Sequence, residues 1–350
     1  MITTSAELEA LVGNLPTSES ASVGIDLEAD NLHRYAEQLC LIQISDGKDV
    51  FLVDPLEVDD LSSLERFLAA ESIWMHGADF DMTLLRREFG TLPKMIFDTQ
   101  IAARLLGILR FSYANLVDQF FDVKLCKASQ KENGGQRPLP EKMREYASND
   151  VRYLLPLANA LEDTLRDKGR YEWFVESCQA AMKRVLSREV EKEDPWRIRG
   201  AGKLDRQALC LLRALWQWRD REAQEWDRPP FMVARNQDLI SWSESLVRGE
   251  NIQTPRNVKG GRARRLKSAI AEAREMSRSD WPERIRGRGR RWNSSQEKRY
   301  DDLAKKRDEA AENLELESSI VASRAALEQI AWDEDPTQHL LQWQRGLLEL

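Results

Sequence analysis

Apolar positions along the first 165 residues fall into two rhythms. Short runs rich in Ile, Val and Leu, at Ser22–Leu27 (SVGIDL), Leu39–Ser45 (LCLIQIS), Val50–Val53 (VFLV) and Ser72–Met75 (SIWM), are bounded by Gly, Asp or Pro and predict buried strands. Between and after them, Leu61–Ala70, Asp79–Glu88, Thr99–Leu106 and Glu141–Leu165 carry apolar residues three and four apart, the spacing of one helical face. Their alternation predicts an α/β domain on one mixed sheet. Beyond about residue 166 the strand-like runs cease. Arg170–Arg188 predicts a helix, Val190–Gly202 a linker broken by Pro195 and Gly200, and the remainder mostly helices.

The helical half repeats itself. A shift of 88 residues without gaps lays Arg219, Asp220 and Ala223 on Arg307, Asp308 and Ala311, and Val233, Ala234 and Leu239 on Val321, Ala322 and Leu327. The apolar pairs Met232/Ile320 and Trp242/Ile330 match in kind, so two related helical modules are expected. The stretch between them, Ser277–Gln296, is rich in Arg with Pro and Gly and reads as an exposed linker.

A length of 350 residues suits two or three domains with their own cores. No apolar run reaches the roughly 18 residues that span a bilayer. Met1–Glu9 has no Lys or Arg and no signal-like apolar core, so a cytoplasmic protein is expected. Cys40, Cys126, Cys178 and Cys210 are widely spaced and fit reduced, buried thiols, and three histidines leave no His-rich metal site. Charge is segregated: residues 1–165 hold 15 basic and 27 acidic side chains, whereas 256–299 hold 15 and 5. Of the 11 tryptophans only Trp74 precedes residue 166, a second sign that the halves fold differently.

Three acidic motifs bring candidate chemistry. Asp26 and Glu28 stand two apart at the end of the first predicted strand, a spacing that puts strand residues on one face, where hard oxygen ligands suit magnesium or manganese. In His76–Leu85 (HGADFDMTLL), Asp79 sits where an N-cap is expected, Asp81 is the candidate for chemistry, and His76 reads as a structural residue at the strand end. In Tyr146–Leu154 (YASNDVRYL), Tyr146 and Asp150 are four apart on one helix face, so a phenol and a carboxylate can point at the same water.

D-x-E, then F-D about fifty residues on, then Y-x-x-x-D about seventy further resembles the DEDDy class of 3′→5′ exonucleases, specifically the ribonuclease D family. Tyr35–Ile44 (YAEQLCLIQI), Phe89–Pro93 (FGTLP), Phe97–Gln100 (FDTQ), Arg137–Pro140 (RPLP) and Tyr153–Pro156 (YLLP) also look like that family. Leu204–Ala273 resembles its helical HRDC nucleic-acid-binding module, including Trp218–Asp220 (WRD), and 296–350 its divergent second HRDC-like module. The expected fold is an α/β ribonuclease H-like exonuclease domain with a mixed sheet, followed by two all-α HRDC-like domains. Its boundaries are 1–165, a helix and linker over 166–203, HRDC over 204–276, a basic linker over 277–295 and the second module over 296–350. There is no Walker-type G-x-x-x-x-G-K-[ST], so HRDC here does not imply a helicase. Two positions depart from the family: Leu27 replaces the usual Thr between the first Asp and Glu, and Glu132–Gln136 (ENGGQ) lacks an Asp-Trp pair.

The resemblance implies that Asp26, Glu28, Asp81 and Asp150 hold two divalent cations, Mg2+ or Mn2+, for in-line phosphodiester hydrolysis. Asp26 would touch both ions, Glu28 and Asp150 the first and Asp81 the second. Tyr146 would orient the attacking water, and nucleoside 5′-monophosphates would leave one at a time. The implied substrate is RNA with a free 3′ end, transfer RNA precursors foremost. A DNA-directed 3′→5′ exonuclease, or a catalytically weak RNA-binding protein, remains an alternative. Because the catalytic half is acidic, phosphate contacts are expected from Lys259, Arg262, Arg264, Arg265, Lys267, Arg286, Arg288, Arg290 and Arg291, with Trp281 and Trp292 as stacking partners. No membrane or protein partner is expected.

Overall fold

The computed structural model describes residues 1–17, 22–30, 32–125, 134–188, 194–284 and 292–350. Two compact units emerge: Met1–Ala29, Leu39–Arg188 and Arg291–Leu350 form one, and Asp30–Gln38 with Glu189–Arg290 the other.

The first unit is built on a five-stranded sheet. Its elements run α1 (Ser5–Asn14), β1 (Gly24–Asp30), β2 (Gln38–Ser45), β3 (Val50–Val53), α2 (Ser62–Ala70), β4 (Ser72–Met75), α3 (Asp79–Phe89), β5 (Met95–Asp98), α4 (Thr99–Leu105), α5 (Tyr113–Phe121), α6 (Glu141–Arg152), α7 (Leu154–Asp167) and α8 (Tyr171–Ser187). Strand order is β3-β2-β1-β4-β5, with β1–β4 and β4–β5 parallel and β2–β3 antiparallel, so the sheet is mixed as the alternation predicts. The strand period of two divides the core: Ile25, Leu27, Ile73 and Met75 join one buried cluster, and Trp74 joins another with α4, α7 and α8. Asp26 and Glu28 therefore share the face opposite Leu27. On that face α7 comes close, for a Cβ added at Gly24 would lie 3.0 Å from Leu154 Cδ2.

Three local expectations need correction. β1 continues through Glu28 to Asp30 instead of ending at Leu27, and a fifth strand, Met95–Asp98, was not expected. The helix expected over Glu141–Leu165 is two helices that break at Tyr153. Pro156, third in α7, has no N–H to give to the carbonyl of Arg152.

The second unit holds α9 (Arg206–Trp226), α10 (Pro230–Val233), α11 (Asn236–Val247) and α12 (Gly261–Glu275) around Leu212, Leu215, Trp218 and Leu239. The loop that leaves β1 belongs to this unit: Tyr35 packs on its core, and the hydroxyl donates to Asp220 at 3.0 Å. The first unit closes with α13 (Ser294–Leu314), α14 (Ser318–Val321), α15 (Arg324–Ala331) and α16 (Gln342–Leu348). The 88-residue repeat returns here as geometry. α9 and α13 are both 21 residues long and end in left-handed caps, Asp227 at φ 47° and Glu315 at φ 54°. α10 and α14 are both four residues long, and Ala234 and Ala322 after them share φ −159°.

Within the first unit the C-terminal helices are fastened to α8 and the end of α4. The Arg170 guanidinium donates to the carbonyls of Leu105 and Leu314, both at 2.8 Å, and Trp173 stacks on Trp343 at 4.9 Å. Glu176 accepts the backbone N–H of Gln342 at 2.6 Å, completing the start of α16. No helix among the described residues is long and apolar enough to cross a membrane. Cys178 and Cys210 are buried free thiols and Cys40 is buried, whereas Cys126 lies outside the described residues.

Candidate active site

Strand β1 and helix α6 bring the central acidic groups together. Carboxylate oxygens of Asp26, Glu28 and Asp150 all lie within 4.8 Å of one another. Asp81, in the first turn of α3, is outside this trio yet within electrostatic reach of it, since its charge raises the pKa of Asp26. Burial, then the charges of Asp81, Asp150 and Glu28, push the Asp26 carboxyl well above the ordinary carboxylate range. Burial raises Glu28. Asp81 is pushed up to about 7 by burial and by the charges of Asp98 and Glu28. Asp150 is pushed up to about 7 by burial and Glu28, against a hydrogen bond from Tyr146 that lowers it.

Such a cluster is costly by itself. Four acidic groups held half-buried or buried repel one another, and the remedy is protonation or a shared cation. The donors are hard oxygens, the type that suits Mg2+ and Mn2+, so the residues fit a divalent-metal centre.

Asp98 holds the turn that presents Asp81. Its carboxylate accepts from the backbone N–H groups of Gly77 at 2.8 Å, Ala78 at 2.9 Å and Gln100 at 2.8 Å. This corrects the capping role expected of Asp79, which is exposed and instead pairs with Arg188 at 2.6 Å. Asp98 lies 20 residues from Ala78 and is also the N-cap of α4, so only its place in the F-D-T motif singled it out. His76 is structural: Nδ1 is 2.9 Å from Thr99 Oγ1, and burial lowers its pKa. Arg137 of the R-P-L motif forks onto the buried carboxylate of Asp54 and donates to the carbonyl of Cys40 at 2.7 Å, which ties the segment before α6 to β2. Leu27 packs into the core on the far side of the sheet. Glu132 and Asn133 lie outside the described residues.

The basic belt divides. Arg262 and Arg265 both bind Glu222, a carboxylate only 2% exposed, with Arg265 Nε at 2.5 Å. Lys259, Arg264 and Lys267 are exposed. Arg286, Arg288, Arg290 and Arg291 lie outside the described residues. The two tryptophans expected to stack on bases are half-buried. Trp281 Nε1 donates to the Met276 carbonyl at 3.2 Å, and Trp292 lies against Tyr300 at 4.8 Å and Trp332 at 6.0 Å.

A mixed sheet carrying this carboxylate set is the framework of a 3′→5′ exonuclease, and the family model described as 3′-5′ exonuclease matches residues 1–166. A second model, the HRDC domain, matches residues 208–250. The chain is 34% identical over 230 residues to ribonuclease D of Psychromonas ingrahamii, covering 64% of this chain but 60% of that protein. It is 30% identical over 273 residues to ribonuclease D of Pseudomonas paraeruginosa, covering 75% of this chain and 72% of that protein. The crystal structure of Escherichia coli RNase D, described as an exoribonuclease involved in structured RNA processing, superposes with a TM-score of 0.73. That match has 25% identity and covers 100% of this chain and 98% of that one. The chain belongs to the ribonuclease D family, hydrolases that act as 3′→5′ exoribonucleases.

Proposed function

We propose that this protein shortens RNA from the 3′ end in the cytoplasm, with transfer RNA precursors among its substrates, by a two-metal reaction at Asp26, Glu28, Asp81 and Asp150. The observation that carries the reading is the convergence of Asp26, Glu28 and Asp150 within 4.8 Å, with Asp81 coupled to them. In this reading Asp26 would serve both cations, Glu28 and Asp150 the first, and Asp81 the second. The chemistry that Mg2+ or Mn2+ would supply when held there is acidification of a water and stabilisation of charge on the leaving 3′ oxygen.

The remaining work falls to protein groups. Tyr146 hydrogen-bonds to Asp150 and is the group that would orient the attacking water. The 1–165 domain performs the hydrolysis, and the modules over 204–276 and 296–350, with the linkers 166–203 and 277–295, retain the RNA. Lys259, Arg264 and Lys267 contact phosphates through exposed charge. Arg286, Arg288, Arg290 and Arg291 add to the same belt by sequence, and Arg262 and Arg265 contribute only what their pairing with Glu222 leaves.

The test is digestion of matched single-stranded RNA and DNA over a metal titration, with Asp26→Ala beside the wild type. Metal-dependent release of 5′-mononucleotides from RNA is expected, with turnover at least about 1000-fold lower in Asp26→Ala at unchanged fold. Near-wild-type hydrolysis by that variant rejects the assignment, and preference for DNA rejects the substrate.

A further inference from the structure

The break between α6 and α7 is bridged by a side chain from another helix. In an unbroken helix the carbonyl of Asn149 would accept the N–H of Tyr153, four residues on. Here the Tyr113 hydroxyl stands between them: it donates to the Asn149 carbonyl at 3.2 Å and accepts the Tyr153 N–H at 3.1 Å. Insertion of a side chain into the i→i−4 ladder is one of the few identifiable causes of a sharp helix break. α7 then starts afresh, with Leu157 N–H donating to the Tyr153 carbonyl at 2.9 Å.

Tyr113 is suited to hold this position. It is the first residue of α5, its side chain is partly buried, and its ring lies 5.5 Å from that of His76, which is itself tied to Thr99. The hydroxyl grips the residue next to Asp150 on one side of the break and the first residue beyond α6 on the other. Without it the last turn of α6 can rotate until Asn149 and Tyr153 bond directly, and Asp150 and Tyr146, on the face four residues apart, turn with it.

We propose that Tyr113 is a positioning residue: its hydroxyl, inserted between Asn149 and Tyr153, fixes the end of α6 so that Asp150 and Tyr146 meet Asp26 and Glu28. Its hydroxyl is engaged by these two backbone groups. This rests on Asp150 being a metal-holding carboxylate, so the experiment compares Tyr113→Phe with Asp150→Asn in the full-length protein. Phe keeps the ring and removes only the hydroxyl, and the two backbone groups it frees can pair with each other.

Mg2+ binding is measured by calorimetry, and kcat, KM and the Mg2+ midpoint on a single-stranded RNA. Positioning partners of metal ligands typically change affinity or turnover by about 10- to 100-fold. Tyr113→Phe is expected to weaken Mg2+ binding by about tenfold or more and to lower kcat at subsaturating metal, with high Mg2+ restoring part of it. KM for RNA and the cooperative unfolding transition should stay near wild type. Unchanged Mg2+ affinity in Tyr113→Phe, with Asp150→Asn inactive, overturns the inference and leaves the functional reading intact. Retained turnover in Asp150→Asn instead removes the functional reading itself. Loss of the folded state in Tyr113→Phe also overturns the inference, since it makes the hydroxyl a requirement of folding.

Discussion

Replacing Asp150 by Asn should stabilise the metal-free protein while abolishing its chemistry. A carboxyl whose pKa is higher in the folded state keeps its proton where the unfolded chain has already released one. Stability therefore falls as pH rises through that window. For Asp150 the window runs from the ordinary 3.8 to about 7. At roughly 1.4 kcal/mol per pH unit the full cost is about 4 kcal/mol above neutral pH, and about 1.5 kcal/mol at pH 5. Part of it is repulsion from Glu28, which eases by other routes, so a gain of about 2–4 kcal/mol at pH 8 is expected for the variant. Urea denaturation in EDTA at pH 5 and pH 8 reads this directly. With an m value of roughly 3 kcal/mol/M the midpoint moves up by about 1 M at pH 8 and by half of that or less at pH 5. Saturating Mg2+ should reverse the order, because only the wild type keeps the full ligand set. A variant no more stable than wild type in EDTA at pH 8, or a gain independent of pH, would refute the account of the site as mutually repelling carboxylates.

Other consequences follow from packing and charge. Gly107 has φ +80°, and a Cβ there would meet the Glu315 carbonyl oxygen at 2.3 Å, so Gly107→Ala should destabilise the first unit by about 1–3 kcal/mol, read by thermal or urea unfolding. A wild-type midpoint would deny the close approach of α13 to that turn. Glu222→Gln removes the buried charge that Arg262 and Arg265 share, leaving Arg265 only Glu225 as an acidic partner, and should cost the helical unit about 2–3 kcal/mol; no change would mean the pair is no better than a surface contact. Changing Lys259, Arg264 and Lys267 together to Ser should reduce the slope of log binding constant against log salt for single-stranded RNA by about 2, and an unaltered slope would remove these residues from the phosphate contacts.

Asp26 with Glu28, and Tyr146 with Asp150, were legible as pairs because their spacings obey local rules, and the resemblance to the ribonuclease D family joined the pairs into one site. Residues two apart on a strand share a face, residues four apart on a helix share a face, and neither rule needs a partner from elsewhere. Asp81 and Asp79 were harder to tell apart, because the residue that caps the turn, Asp98, lies about twenty positions on. β5 leaves little mark in the sequence because its residues, MIFD, run straight into α4 with no turn between them.

By itself the chain determined the strand and helix periods of the catalytic half, the carboxylate motifs, the segregation of charge and the 88-residue repeat that later appears as matched helix lengths and caps. These depend on neighbours a few residues away, where sequence and geometry are nearly the same thing. Tertiary structure decided what depends on distant groups. A hydroxyl 40 residues from Tyr153 bridges the helix break, and Glu222 occupies two arginines of the basic belt. The physical reason is that a hydrogen bond or ion pair acts over about 3 Å of space, however many residues of chain lie between its partners.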